Sequence, residues 1–426
     1  MAIFTSALGL ACQILIARKY GASSDMDAYL VSIAIPVFLA TLITSACSYG
    51  LIPKLSAYDN NQKEFMRFSQ AMFVLGIILA IFFMLMLLLA PFQVLYFSEF
   101  SSVDNKTLLV LFRVGWCIGA CQILVAISAA ILNAKSFYAL STSLAWFPYL
   151  GIIISLMFMN EVQSILHLSY GLLSGTVVAL LISFMLLYKT LLSDFVDFLS
   201  KLPEYSAVIV TASIKAVIIG SIFTSYMVID SYWAPMLGDG IMATLGYAQR
   251  ILGSVGALSI MAVYVVTGRE AQIELTSNGI GAFRQLSISF FKIASLLSVT
   301  LAIFLFMFIE NIVELLFASK NFDNHDISAL ATTVKIMLPG MVCMLVSTIL
   351  VKLILCLDNI GYIALGMGLL WPISYYAGIS FLFDFGLIGL ALSYSVAWFF
   401  LVIALSTSIF ILTKEAMLVV EKPHEH

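Results

Sequence analysis

Three cations stand inside long apolar stretches of this chain, where a charge is costly. They are Arg113, Lys215 and Arg250, and Arg250 lies deepest in its stretch. A charged side chain within a bilayer usually faces a cavity or a partner. In a cleft of low dielectric, such cations bind pyrophosphate or acidic sugars. We therefore predict that the three bind an anionic cargo; the alternative for each is a structural ion pair or a side chain that snorkels to the interface.

A polar loop and an interrupted helix form a second candidate group. The loop carries Arg18, Asp25 and Asp27, and the apolar run that follows contains Pro36. Both acids are close enough to Arg18 in sequence to pair with it and close one mouth of a transport pathway. Proline bends a helix, so Pro36 is a candidate hinge. Small hydroxyl residues of the same run predict a face toward water or a polar cargo: Ser32, Thr41, Thr44, Ser45 and Ser48.

The composition shows what surrounds these groups. Hydrophobic residues make up 62% of the chain and charged residues 10%, which is typical of an integral membrane protein. Roughly twelve apolar runs are long enough to span a bilayer, and they lack the alternation of a membrane barrel. The first run has no basic flank and no cleavage site, so we expect a retained helix rather than a signal peptide. The runs lie near 2–17, 28–50, 70–97, 107–133, 137–159, 165–188, 207–236, 241–267, 285–317, 329–355, 361–383 and 387–413.

Lysine and arginine are unequally divided between the loops of the two sides. The positive-inside rule places the richer side, together with both termini, in the cytoplasm. Arg18 and Lys19 then lie on the outer face against the rule, which suggests a function for them. The richer side holds Lys54, Lys63, Arg67, Lys135, Lys189, Lys201, Arg269, Arg284, Lys414 and Lys422.

The two halves of the sequence resemble each other. The segment that starts at Lys63 matches the one at Gly281, and the segment at Pro91 matches the one at Asn311, at a spacing of roughly 217 to 220 residues. Since six spans separate the copies, both halves enter the membrane in the same direction. We predict an all-α membrane protein of about twelve transmembrane helices in two six-helix lobes. The predicted divisions are a lobe 1–190, a cytoplasmic linker 191–206, a lobe 207–414 and a cytoplasmic tail 415–426.

Other patterns predict packing rather than chemistry. G-W-C-I-G at Gly115 and G-L-L-S-G at Gly171 allow close helix contact. Segments 54–68 and 269–283 predict amphipathic helices on the cytoplasmic interface, with a solvated connector equally open for the second. Six cysteines without paired spacing are expected to pack as small apolar residues, and no metal site or cofactor is predicted: Cys12, Cys47, Cys117, Cys121, Cys343 and Cys356.

Four motifs resemble a known superfamily over nearly the whole chain. They are L-I-A-R-K-Y-G-A-S-S-D-M-D-A-Y-L-V at Leu15, the A-I-P-V-F-L that follows, G-L-I-P-K-L-S at Gly50 and L-G-Y-A-Q-R-I-L at Leu245. The chain resembles the multidrug/oligosaccharidyl-lipid/polysaccharide (MOP) exporters, and among them the branch of the lipid II flippases and polysaccharide flippases.

The resemblance implies a function and a set of contacts. It implies a flippase that moves a polyprenyl-pyrophosphate-linked sugar across the bacterial inner membrane by alternating access, with the first, second, seventh and eighth spans lining the cavity. Gln13, Tyr29 and Gln249 lie on these spans and are carried over as cargo contacts. We expect a monomer that works beside a polysaccharide polymerase or glycosyltransferases and binds no nucleic acid.

Departures from the branch favour one class of glycan. The lipid II flippases place an arginine and an acid where this chain has Cys12 and Gln13, and a cationic pair where it has Ala40 and Thr41. Those cations are expected to hold the pyrophosphate. The sequence therefore predicts a precursor of O-antigen, capsule or exopolysaccharide rather than lipid II.

Two other functions remain as alternatives. A multidrug or cation antiporter of the superfamily needs a buried acid, but the acids of the apolar runs stand near their ends. A membrane glycan polymerase or glycosyltransferase needs paired carboxylates or a base in a large outer loop, and the outer loops here are short. We therefore predict a transporter and not an enzyme.

Overall fold

The computed structural model describes residues 2–58, 61–99, 102–158, 164–192, 202–357 and 361–420. Every regular element in these ranges is helical, which confirms the predicted all-α class; one isolated bridge joins Ser319 and Phe322. The helices are α1 Ala2–Tyr20, α2 Ser24–Ser45, α3 Ile52–Ser56, α4 Gln62–Leu85, α5 Ala90–Phe97, α6 Asn105–Ala134, α7 Tyr138–Ser143, α8 Trp146–Phe158, α9 Leu166–Leu192, α10 Leu202–Thr224, α11 Tyr226–Trp233, α12 Ile241–Ser277, α13 Gly279–Phe317, α14 Asn324–Leu355, α15 Gly361–Leu382 and α16 Gly386–Val420.

The predicted spans coincide with these helices. Each apolar run falls on one long helix or on consecutive short ones. Eight helices of the described residues are long and apolar enough to cross a membrane, or nine if the bent α10 is counted as one span. The prediction that two segments form separate amphipathic helices is wrong. Segment 54–68 is shared between α3 and the start of α4, and segment 269–283 is divided between α12 and α13 at Asn278. Most of the predicted linker, from 193 to 201, lies outside the described residues.

The chain forms two compact units by its internal contacts. One comprises Met1–Gly246 with Ser319–Asp323, and the other Tyr247–Ala318 with Asn324–His426. The packing places α10 with the first six spans, whereas the predicted second lobe begins at residue 207. The repeat and its lobe boundaries stay predictions.

Glycines bring α2 and α6 of the first unit together. A Cβ atom added to Gly115 would lie 2.5 Å from the carbonyl oxygen of Ser32, and one added to Gly119 would lie 2.9 Å from Cβ of Pro36. Proline has no N–H to donate to the carbonyl four residues earlier, and that carbonyl is the one that faces Gly115. In the same unit, Gly171 of α9 packs against α8. The two predicted small-residue contacts are confirmed.

This packing gives the first testable prediction. Gly115→Val should force α2 and α6 apart and lower the thermal unfolding temperature of the purified protein, since overpacking costs about 1–3 kcal/mol. Scanning fluorimetry in detergent measures it. Gly253→Val is the matched control, because no atom lies within 4 Å of the Cβ position there. Equal melting of the two variants would contradict the interpretation.

The start of α10 is also bound into the first unit. Tyr205 donates its hydroxyl hydrogen bond to Glu64 Oε2, and the other carboxylate oxygen of Glu64 accepts from Arg67 Nη1 at 3.2 Å. Farther along, Gly220 packs directly against Ser45 of α2. A charged network and a small-residue contact thus hold α10 against α4 and α2.

The second unit is built on α13 to α16 around an aromatic cluster. The rings of Trp371, Tyr375, Tyr394 and Trp398 are almost fully buried, with centroids between 5.0 and 6.4 Å apart. The Tyr394 hydroxyl donates to Sδ of Met344. Rings this close fill the space among the helices and form a packed core.

Candidate functional site

A tight turn joins α1 to α2 at one end of the first unit. Gly21 has φ +67° and donates its N–H to the Ala17 carbonyl at 2.8 Å. A side chain there would collide with the backbone of Asn321. Asn321 Nδ2 donates to the Lys19 carbonyl at 2.7 Å, and Ser319 Oγ donates to the Arg18 carbonyl at 3.1 Å. These bonds satisfy the last carbonyls of α1, which have no partner within the helix.

The first turn of α2 binds the N-terminus of α12. Asp27 is 3% exposed; its Oδ2 accepts from the Gly240 N–H at 2.6 Å and its Oδ1 from the Ala243 N–H at 2.7 Å. The first N–H groups of a helix carry partial positive charge and have no internal acceptor. Asp27 therefore caps a helix that lies 213 residues away along the chain.

Close backbone contact supports this cap. Gly240 has φ +79°, and a side chain at that position would collide with the Ala22 carbonyl. The glycine thus allows both the left-handed turn before α12 and the approach of the α1–α2 loop. The cap and the turn form one structure, which we call the Asp27 cap: Gly21, Ala22, Asp27, Gly240 and Ala243.

The end of α1 has two further anchors. Lys19 Nζ donates to the carbonyl of Leu156 at 3.1 Å, at the C-terminal end of α8. The Tyr20 hydroxyl donates to the carbonyl of Ser164 at 3.3 Å. A cation at a helix C-terminus is stabilised by the helix dipole. Lys19, which the sequence places on the outer face against the positive-inside rule, therefore has a structural partner.

The predicted gate residues occupy different environments. Asp27 is buried and binds backbone amides instead of pairing with Arg18, while Arg18 and Asp25 are exposed. Pro36 lies within α2 and is buried against Gly119 of α6. Their roles as a gate and a hinge stay predictions.

The predicted cargo cations are spread over three helices. Arg250 is partly buried on α12 and belongs to the second unit, as does its partly buried neighbour Gln249. Arg113 on α6 is exposed. Lys215 is on α10, and its side chain lies outside the described residues. These cargo contacts stay predictions.

Two lysines near helix ends, where a side chain could also snorkel to the interface, have specific partners in the second unit. Lys335 Nζ pairs with Glu310 Oε1 at 2.6 Å. Lys352 Nζ donates to the Tyr264 carbonyl at 2.7 Å and lies 3.4 Å from the centroid of its ring. Sequence alone offered no way to choose these partners.

Other predicted cargo positions are packed to different degrees. Gln13 is partly buried on α1, and Tyr29 is 4% exposed on α2. At two positions where the family resemblance leads us to expect cations, Cys12 is 0% exposed and Ala40 is 2% exposed. The structure fills both places with small side chains, and an arginine would require repacking there.

The hydroxyl residues of α2 bond within their own helix. Ser32 donates to Tyr29, Thr41 to Phe38 and Ser45 to Thr41, all to backbone carbonyls. Such bonds satisfy a hydroxyl without water or cargo and often bend a helix. The row of hydroxyls is therefore not by itself a sign of a polar pathway.

The fold defines a class of protein. A chain of long apolar helices, at least eight of which among the described residues could cross a membrane, with cations on those helices, is typical of a multi-pass membrane transporter. Comparison with known proteins gives the family: the model described as Lipid II flippase MurJ matches residues 16–421. The chain belongs to this family, within the MOP superfamily. It is a flippase for lipid-linked cargo and not an enzyme.

Individual relatives agree with this assignment. A probable lipid II flippase MurJ of Buchnera aphidicola subsp. Acyrthosiphon pisum (strain APS) is 25% identical over 379 residues, which cover 83% of this chain and 70% of the relative. A solved lipid II flippase MurJ in an inward closed conformation has a TM-score of 0.78 at 17% identity and covers 100% and 92% of the two chains. An inward-facing MATE family transporter of the MOP superfamily has a TM-score of 0.76 at 14% identity, with 96% of each chain covered. At these identities the solved structures show the fold.

Proposed function

We propose that this protein flips lipid II, the polyprenyl-pyrophosphate-linked precursor of peptidoglycan, from the cytoplasmic to the outer leaflet of the bacterial inner membrane. The observation that carries the proposal is the family match, which extends from residue 16 to residue 421 and includes every candidate site residue except Gln13. This match favours lipid II, whereas the sequence motifs favoured a precursor of O-antigen, capsule or exopolysaccharide.

In the proposed mechanism, the Asp27 cap closes the outer mouth while cargo enters from the cytoplasm. Arg250 and Lys215 bind the pyrophosphate in the membrane. Release of α12 from Asp27 then opens the outer side, and α2 bends at Pro36. Both termini lie in the cytoplasm, as the distribution of basic residues favours, and the protein works as a monomer.

A specific observation supports a second cargo. Cys12 and Ala40 are buried, so two of the places at which the resemblance leads us to expect a cation are neutral and packed. A precursor of O-antigen, capsule or exopolysaccharide, whose charge differs from that of lipid II, suits a binding site with fewer cations. The polymerase or glycosyltransferases of that glycan would then be neighbours in the membrane.

Complementation distinguishes the two cargoes. We expect this gene to support growth of a strain depleted of its own lipid II flippase. In parallel, it is expressed in strains that lack an O-antigen or capsule flippase. Growth in the first strain supports the proposal. Restored surface glycan without restored growth, at equal protein levels in the membrane, would replace lipid II with the second cargo.

A further inference from the structure

One partly buried cation of the first unit has no part in the site described above. Lys135 directly follows α6, at the end of that span. Its Nζ donates to Thr190 Oγ1 at 2.7 Å and lies 5.4 Å from the centroid of the Phe65 ring. Both partners are neutral, so they orient the ammonium group without balancing its charge.

The ammonium group of Lys135 has capacity for an anion. Among the residues that the structure describes, no carboxylate forms an ion pair with it. An ammonium group has three N–H donors, and Thr190 accepts from one. Burial lowers the pKa of Lys135, because a partly desolvated cation without a counter-charge is less stable. An anion at the two remaining donors would remove this penalty.

The surroundings of Lys135 are those of a headgroup region. Ser136 has φ +63° and ends the helix with a left-handed residue. The side chains that follow are large and exposed: Phe137 is 52% and Tyr138 is 62% exposed. On α9, the exposed Lys189 precedes Thr190. Exposed aromatic and basic side chains at the end of a span are typical of the level where lipid headgroups lie.

We propose that Lys135 binds the phosphate of an anionic phospholipid in the leaflet at this end of α6. Thr190 holds the ammonium group in place, and Lys189 adds positive charge beside it. The acyl chains lie along the exposed rings of Phe137 and Tyr138. Basic pockets between transmembrane helices bind anionic headgroups in this way. The site lies at the C-terminal ends of α6 and α9 in the first unit, and its occupant is bulk lipid rather than cargo.

Thermal unfolding of the purified full-length protein tests the site. Phosphatidylglycerol should raise the unfolding temperature of the wild type more than phosphatidylcholine does. Lys135→Gln should lose at least about half of this difference, because it removes the charge that binds the phosphate. Lys135→Arg should keep it, and so should Lys54→Gln, which removes an exposed lysine elsewhere. An undiminished phosphatidylglycerol effect in Lys135→Gln would overturn the proposal.

A second measurement needs no variant. Wild-type protein in nanodiscs is treated with an amine-reactive reagent, and labelling of Lys135 is measured by mass spectrometry. We expect phosphatidylglycerol to protect Lys135 relative to phosphatidylcholine, with Lys54 labelled equally in both. Equal labelling of Lys135 in the two lipids would refute the site. Protection by added polyprenyl pyrophosphate but not by phosphatidylglycerol would also overturn it, by assigning the site to the cargo lipid.

Discussion

Asp27→Ala is expected to abolish transport and to lower the stability of the protein. The change removes both acceptors from the amides of Gly240 and Ala243. Hydrogen bonds to a charged group contribute about 1.5–3 kcal/mol each, and the amides would be left buried without an acceptor. Asp27→Asn keeps one acceptor oxygen and should retain partial activity. Transport is scored by complementation and stability by thermal unfolding.

The control for this prediction stands in the same turn. Asp239 is an exposed acid directly before Gly240, and Asp239→Ala removes the same chemical group without removing a cap. It should behave like the wild type in both assays. Full activity and an unchanged unfolding temperature for Asp27→Ala would show that the cap has no role in closing the outer mouth.

Arg250→Gln is expected to lower transport at least roughly tenfold, which corresponds to about 1.4 kcal/mol in the binding of the pyrophosphate. The side chain of Arg250 is partly buried on α12, within a region of apolar sequence. Arg250→Lys keeps the charge but not the bidentate geometry that guanidinium offers to phosphate oxygens, so it should recover only part of the activity. Initial rates of cargo movement in proteoliposomes measure the loss.

A lysine of the second unit gives the comparison for Arg250. Lys292 is exposed on α13, and Lys292→Gln removes a membrane-level charge that is not predicted to meet cargo. Its rate should stay near that of the wild type. Equal losses in Arg250→Gln and Lys292→Gln would mean that general charge, and not a cargo contact, explains the effect.

The positions of the long helices could be predicted, because they depend on the length of each apolar run in the sequence. The runs fall on the observed helices because an apolar stretch of about 20 residues must satisfy its backbone groups internally within lipid. Gly115 and Gly171 were assigned to packing for a similar reason, since small residues are what close helix contacts require. The amphipathic segments failed because charge periodicity alone does not say whether a helix continues into the next span. Residues 62–68 are the first turns of α4, which continues to Leu85.

The partners of the polar side chains could not be predicted. The sequence suggests an ion pair between Asp27 and Arg18, because the two residues are close along the chain. In the structure the carboxylate of Asp27 accepts hydrogen bonds from backbone amides more than two hundred positions away. The turn L-G-D-G-I before α12 signals a helix start, yet nothing in it specifies which carboxylate binds there. Asn321 and Ser319 were missed for the same reason. Only the folded chain brings them to the carbonyls of α1.

Movement of lipid II in a purified system is the most direct test of the central claim. The protein is reconstituted in liposomes that contain labelled lipid II, and a reagent that reaches only the outside reports how much of the lipid crosses. We predict that the wild type exposes lipid II faster than empty liposomes do, that Asp27→Ala does not, and that Arg250→Gln is at least roughly tenfold slower than the wild type. Rates for the wild type equal to those of empty liposomes, with correctly folded protein in the membrane, would contradict the assignment of lipid II as the cargo.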